Sequence, residues 1–213
     1  MSRSLLKALV SSLALAMAGF LIAAPASAAG DPVRGKVLGY TCLGCHGIES
    51  YKNAYPTYSV PKLRGQHAEY IVAALKEYRA SERGHATMHA HASTLSEQDM
   101  QDVAAYLSGT EVKTAGGEPV GKPPAAVATC QACHGRDGVG IMGMYPSLSG
   151  QHADYLAHSL EDYRKGARKN AIMAPFAAQL KPEEVQEVAE YFSRQKPSLQ
   201  TVPKNEKTLT ASK

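Results

Sequence analysis

Pro61-Lys62-Leu63-Arg64-Gly65-Gln66-His67-Ala68-Glu69-Tyr70 returns as Pro146-Ser147-Leu148-Ser149-Gly150-Gln151-His152-Ala153-Asp154-Tyr155, at an offset of 85. The same offset pairs Tyr78-Arg79 with Tyr163-Arg164, Met88 with Met173, Leu95 with Leu180, Ala104 with Ala189, and Tyr106-Leu107 with Tyr191-Phe192. Two copies of this length each suffice for a small domain, so the pattern is a tandem duplication and not a solenoid. Upstream of each echo lies a shorter one, Cys42-Leu43-Gly44-Cys45-His46 and Cys130-Gln131-Ala132-Cys133-His134, offset by 88. The first copy therefore carries three extra residues between His46 and Pro61.

Outward from the repeat, the elements read as helices. Residues 66–79 place Ile71, Ala74, Leu75 and Tyr78 at helical spacing. Ser96 to Asp99 resembles a capping box, followed by the apolar stripe Met100, Val103, Ala104 and Leu107. In the second copy Pro182 sits at a helix start, ahead of Val185, Val188, Ala189 and Phe192. Period-two alternation is absent, so both domains are expected to be all-α. Residues 110–124, with Gly116-Gly117 and Pro123-Pro124, read as a linker, and residues 197–213 as a polar, poorly ordered tail.

Residues 1–28 read as an export signal: Arg3 and Lys7, an uncharged apolar run, then Ala26-Ser27-Ala28 as the cleavage site. Export from a Gram-negative cell places the product in the periplasm. Loss of Arg3 and Lys7 lowers the formal charge from +4 to +2. That excess is too small, and too unclustered, for a nucleic-acid partner. No nucleophile–base pair, phosphate-cradling glycine loop or paired-carboxylate motif stands out. Domains of this size are marginal without a staple, and three Phe with no Trp make thin aromatic cores.

The Cys-His motifs supply the staple. C-x-x-C-H is the attachment signature of c-type haem. Thiols three residues apart reach two vinyl groups on one haem edge, and the adjacent His meets the iron. A redox disulfide needs no His directly after it, and a zinc site needs its ligands closer in sequence. For the sixth position, Met88 and Met173 occupy equivalent places ahead of a helix. Met/His ligation closes the iron and raises its potential, which suits electron transfer. His85, His89 and His91 surround Met88 as rival ligands, whereas Met142 and Met144 have only Thr57 and Ser59 as counterparts. His67 and His152 read as helix-opening or solvated histidines. Pro61 and Pro146 are candidates to offer a carbonyl to the ring Nδ1 of each proximal His.

Two modules in tandem, each with C-x-x-C-H, P-x-L-x-G-Q, a downstream Met and a terminal helix with A-x-Y, resemble the dihaem cytochrome c4 family over residues 30–195. The resemblance implies two tandem class I cytochrome c-like domains, at residues 29–109 and 125–196, each wrapped around one covalent haem c. It implies thioether bonds at Cys42, Cys45, Cys130 and Cys133, and axial pairs His46–Met88 and His134–Met173. It further implies that Pro61 and Pro146 supply the carbonyls that accept from the proximal histidines. The family's job would be electron transfer from a quinol-oxidising cytochrome bc complex towards a terminal oxidase, with room for peripheral membrane association. The alternative is a haem-bearing subunit of a periplasmic dehydrogenase, such as a flavocytochrome sulfide dehydrogenase. A third reading, an enzyme working at an open iron, requires loss of one Met ligand.

Overall fold

The computed structural model describes residues 29–111 and 113–203. The expected export signal and residues 204–213 lie outside the described residues. The first domain contains α1 (Pro32–Leu38), a 3-10 turn (Gly39–Cys42), α2 (Leu43–His46), α3 (Ala68–Arg79), α4 (Ala86–Ser93) and α5 (Glu97–Ser108). The second contains a 3-10 turn (Ala125–Val127), α6 (Gln131–His134), α7 (Ala153–Lys165), α8 (Met173–Ala178) and α9 (Pro182–Ser193). Among the described residues only isolated bridges occur in place of strands. The fold is all-α, as the periodicity predicts.

Local chemistry sets the helix ends. The Asp31 carboxylate accepts from the backbone N–H groups of Val33 and Arg34, ahead of Pro32 at the first helical position. The predicted capping box is formed: Ser96 Oγ accepts from Asp99 N–H, and the Asp99 carboxylate accepts from Ser96 N–H. Pro182 opens α9, and α7 ends on Gly166 in the left-handed region. The apolar stripes meet in two cores. Ile71, Leu75 and Tyr78 pack with Met100, Val103, Ala104 and Leu107 in one. Leu156 packs with Val188, Ala189 and Phe192 in the other.

The domains differ at their N-terminal ends. In the first, α1 lies directly on α5: a Cβ on Gly35 would stand 1.9 Å from the Asp102 carbonyl oxygen. Asp102, 1% exposed, accepts from Asp31 N–H at 2.8 Å and Gln98 Nε2 at 2.9 Å, and pairs with Arg34. The second domain has only a 3-10 turn in that place. Gly35→Ala must push the two helices apart and is expected to cost about 2–3 kcal/mol, read as a lower thermal midpoint.

The expectation of a loose tail is corrected over residues 197–203. Leu199 and Val202 are buried, and Val202 joins the first domain's core. Val202 N–H donates to His46 O at 3.0 Å, and Arg64 and Gln200 exchange backbone bonds. Two well-spaced apolar residues in a polar stretch suffice once a groove is there to receive them. The segment at 110–124 is also held: Gln195 both accepts from and donates to the Val120 backbone, and Gly117 N–H donates to Asp137.

Pseudo-symmetric contacts join the domains. Gln66 Nε2 donates to Ser147 O at 3.0 Å, and its Oε1 accepts from Ser147 N–H at 2.9 Å. Gln151 repeats both bonds on Lys62, each at 3.0 Å. The longer loop of the first copy docks on α7, where Asp154 accepts from Ser59 N–H and Oγ, and Tyr58 stacks on His158 at 4.0 Å.

Candidate haem sites

Both C-x-x-C-H motifs form one-turn helices. Cys42 and Cys130 stand at the N-caps of α2 and α6, and the histidines close them. One turn brings each Cys pair to the same side. All four thiols are unbridged. Burial pushes the Cys42 and Cys130 thiols up, so both stay protonated at neutral pH.

His46 and His134 are 9% and 6% exposed. Their Nδ1 atoms lie 2.8 Å from Pro61 O and 2.9 Å from Pro146 O. Burial lowers His46 to about 4, against the opposing pull of the Pro61 carbonyl; the charges of Arg83, His85 and His91 add to the lowering. His134 is lowered for the same leading reason, with Arg168 adding to it. Each ring is therefore neutral near pH 7, with the proton on Nδ1 and the lone pair on Nε2. That is the tautomer a haem iron requires.

Met88 and Met173 precede α5 and α9, as expected, and each also lies on a short helix of its own. Met88 lies within α4, and Met173 is the first residue of α8. Both are half-buried, and Met88 packs against the first core. Asn170 caps α8, its Oδ1 accepting from Ile172 N–H and Met173 N–H at 3.0 and 2.9 Å. At the equivalent place in the first domain stands His85, whose Nδ1 accepts from Met88 N–H at 3.3 Å. Its Nε2 donates to Asn53 Oδ1 at 3.2 Å. Both ring nitrogens of His85 are thus engaged, Nδ1 in capping α4 and Nε2 with the Asn53 side chain. His89 Nδ1 donates to Tyr78 O at 2.8 Å, and His91 is exposed. His67, expected at a helix start, is the N-cap of α3 and donates from Nε2 to Gly140 O of the other domain at 3.1 Å.

The chain's residues fit a haem in each domain: two unbridged thiols one turn apart, a neutral imidazole anchored on a carbonyl, and a thioether on a second short helix. Residue reading missed Gln66 and Gln151, which clamp the residues directly after Pro61 and Pro146. It also missed Arg83 and Arg168, buried between the domains. All four were visible as identities at the offset of 85. Their partners lie in the opposite copy, where no local pattern shows them.

A pair of one-turn Cys-His helices, each with its imidazole braced on a proline carbonyl, defines a two-domain c-type cytochrome. Family profiles agree domain by domain: Cytochrome c matches residues 33–111, and Cytochrome C oxidase, cbb3-type, subunit III matches residues 125–192. The cytochrome c4 of Thiocapsa roseopersicina is 36% identical over 79% of this chain and 95% of its own. A thiosulfate dehydrogenase electron acceptor from Stutzerimonas stutzeri is 33% identical over 71% of this chain and 77% of its own. The crystal structure of reduced cytochrome c4 from Pseudomonas stutzeri superposes with a TM-score of 0.62 at 28% identity, covering 79% of this chain and all of that one. The chain belongs to the dihaem cytochrome c4 family. It is an electron-transfer cytochrome that holds two covalent haems c.

Proposed function

We propose that the protein works in the periplasm, carrying electrons from a quinol-oxidising cytochrome bc complex towards a terminal oxidase. In this reading Cys42, Cys45, Cys130 and Cys133 form the thioether bonds. His46 with Met88 and His134 with Met173 are the axial ligands. Each haem, when bound, supplies a one-electron iron couple of raised potential, as Met/His ligation favours. The protein's part is to hold each imidazole neutral and oriented through Pro61 and Pro146, and to keep both sites in one rigid unit.

The exchange of Gln66 and Gln151 between domains carries this reading. Each domain's histidine support is clamped by the other, so the two redox centres cannot drift apart during transfer. Among the described residues no helix is long and apolar enough to cross a membrane.

The similarity to a thiosulfate dehydrogenase electron acceptor favours a second reading, in which the donor is a periplasmic dehydrogenase. Stopped-flow mixing decides between them. The oxidised protein is expected to be reduced rapidly and saturably by a reduced bc complex, and then reoxidised by the oxidase. Fast reduction by substrate-charged dehydrogenase, with the bc complex inert, would replace the first reading by the second.

A further inference from the structure

The chain that follows each domain's last helix crosses to the other domain. After α5, Gly117 N–H donates to Asp137 Oδ2 at 2.7 Å, three residues past His134. After α9 comes Val202, the counterpart of Gly117 at the offset of 85. Its N–H donates to His46 O at 3.0 Å. The two crossings are alike in path but not in effect. Gly117 brings no side chain, and its bond goes to a carboxylate beyond the motif. Val202 is 0% exposed, and its bond goes to the histidine itself. Among the described residues no distant backbone N–H reaches His134 O in this way.

The path of the second crossing is fixed residue by residue. A Cβ on Gly150 would stand 2.7 Å from Pro197 Cβ, and one on Gly65 would stand 2.1 Å from Ser198 O. Ser198 N–H and Leu199 N–H both donate to Ser149 O at 3.3 Å. Arg64 and Gln200 exchange backbone bonds at 3.0 and 2.9 Å, and Leu199 is 1% exposed. These contacts set the register that brings Val202 to His46. A slip of one residue would present Pro203, which has no N–H to give.

His46 closes α2, so its carbonyl has no partner within its own helix. Val202 supplies that partner. The Nδ1 of the same histidine lies 2.8 Å from Pro61 O. One residue is thus held at its ring and at its backbone by two separate segments. The Val202 side chain joins the apolar cluster that contains Leu43, inside the first Cys-His turn, and Met88 packs against that cluster. Val202 therefore belongs to the wall of the first site, although it follows the second domain.

We propose that Val202 is a positioning residue for the first haem: its amide fixes the His46 backbone, its side chain keeps water from that ligand, and the end of the second domain thereby tunes the first haem's potential alone. The proposal rests on His46 and Met88 being the axial pair. Ferric iron carries one more positive charge than ferrous iron, so water favours it, and a drier ligand shell raises the potential. Loss of Val202 lowers it.

Spectroelectrochemical titration of the purified two-haem protein tests this, with Met88→Ala identifying which potential belongs to the first haem. A chain stopped after Thr201 is expected to lower that potential by about tenfold in the oxidised-to-reduced ratio, or about 59 mV for one electron, and to leave the second in place. A chain stopped after Pro203 keeps Val202 and is expected to keep both wild-type values. An unshifted first potential in the shorter chain, with both haems attached, overturns the proposal. An equal fall in both potentials also overturns it, because the segment then acts on the docking of the domains. A fall in the chain stopped after Pro203 overturns it as well. Should the shorter chain not mature, Val202→Ala in the full chain, which keeps the amide and trims the side chain, is expected to lower the first potential alone by about threefold in the same ratio; an unmoved potential overturns the proposal. Full Met-to-iron absorbance in Met88→Ala instead overturns the reading on which it rests.

Discussion

Met88→Ala is expected to abolish half of the Met-to-iron charge-transfer absorbance of the oxidised protein, and to lower one of its two potentials by about 0.2 V or more. Axial ligand identity spans roughly 0.8 V, and a thioether lies towards the high end of that range. The covalent haem count is expected to stay at two, since the thiols and His46 are untouched. The informative companion is His85→Asn. Asn170 already performs this capping role in the second domain, so the substitution is expected to leave the absorbance and both potentials in place. Full absorbance in Met88→Ala, or its loss in His85→Asn, would transfer the ligand role away from Met88.

Asp102→Ala is expected to destabilise the first domain by about 3 kcal/mol, because two buried bonds to a charged acceptor vanish and Asp31 N–H and Gln98 lose their partner. For a domain of this size that is some 10–20 °C in thermal midpoint. The effect depends on pH with a definite sign. Burial pushes Asp102 up, but the bonds from Asp31, Gln98 and Arg34 outweigh it and hold the carboxyl below its ordinary value. Neighbouring Asp99 is held at about 2 by Ser96 and then Arg34. A carboxyl with a depressed folded pKa stabilises fully above its unfolded value of about 4, and that stabilisation is lost as pH falls through the folded value. Wild-type stability is thus expected to decline from about pH 4 towards 2, with a shallower decline in Asp102→Ala. Urea melts across that range measure it, and parallel acid limbs would sink the assignment.

Much of this was legible before any coordinates. The helices over residues 68–79 and 97–108 follow from apolar spacing and a capping box, both local properties. The Pro61 and Pro146 acceptors were legible only as candidates, since a proline downstream of each histidine fits a plain turn as well, and the family resemblance rather than the residues pointed to the contacts with Nδ1. The role of His85 was not. Its residue type suggests an iron ligand, and only the bonds to Met88 N–H and Asn53 show a cap. The burial of Leu199 and Val202 was equally hidden, because two apolar residues among polar ones carry no periodicity.

The sequence alone determined the chemistry and the units. One helical turn is enough to specify where two thiols and an imidazole stand, and a duplicated stretch is enough to specify two domains. Tertiary structure alone decided how the units are joined. The Gln66–Ser147 and Gln151–Lys62 exchanges, the paired arginines and the returning tail link residues far apart in the chain. Such contacts depend on how two folded surfaces meet, and no local pattern of side chains encodes that meeting.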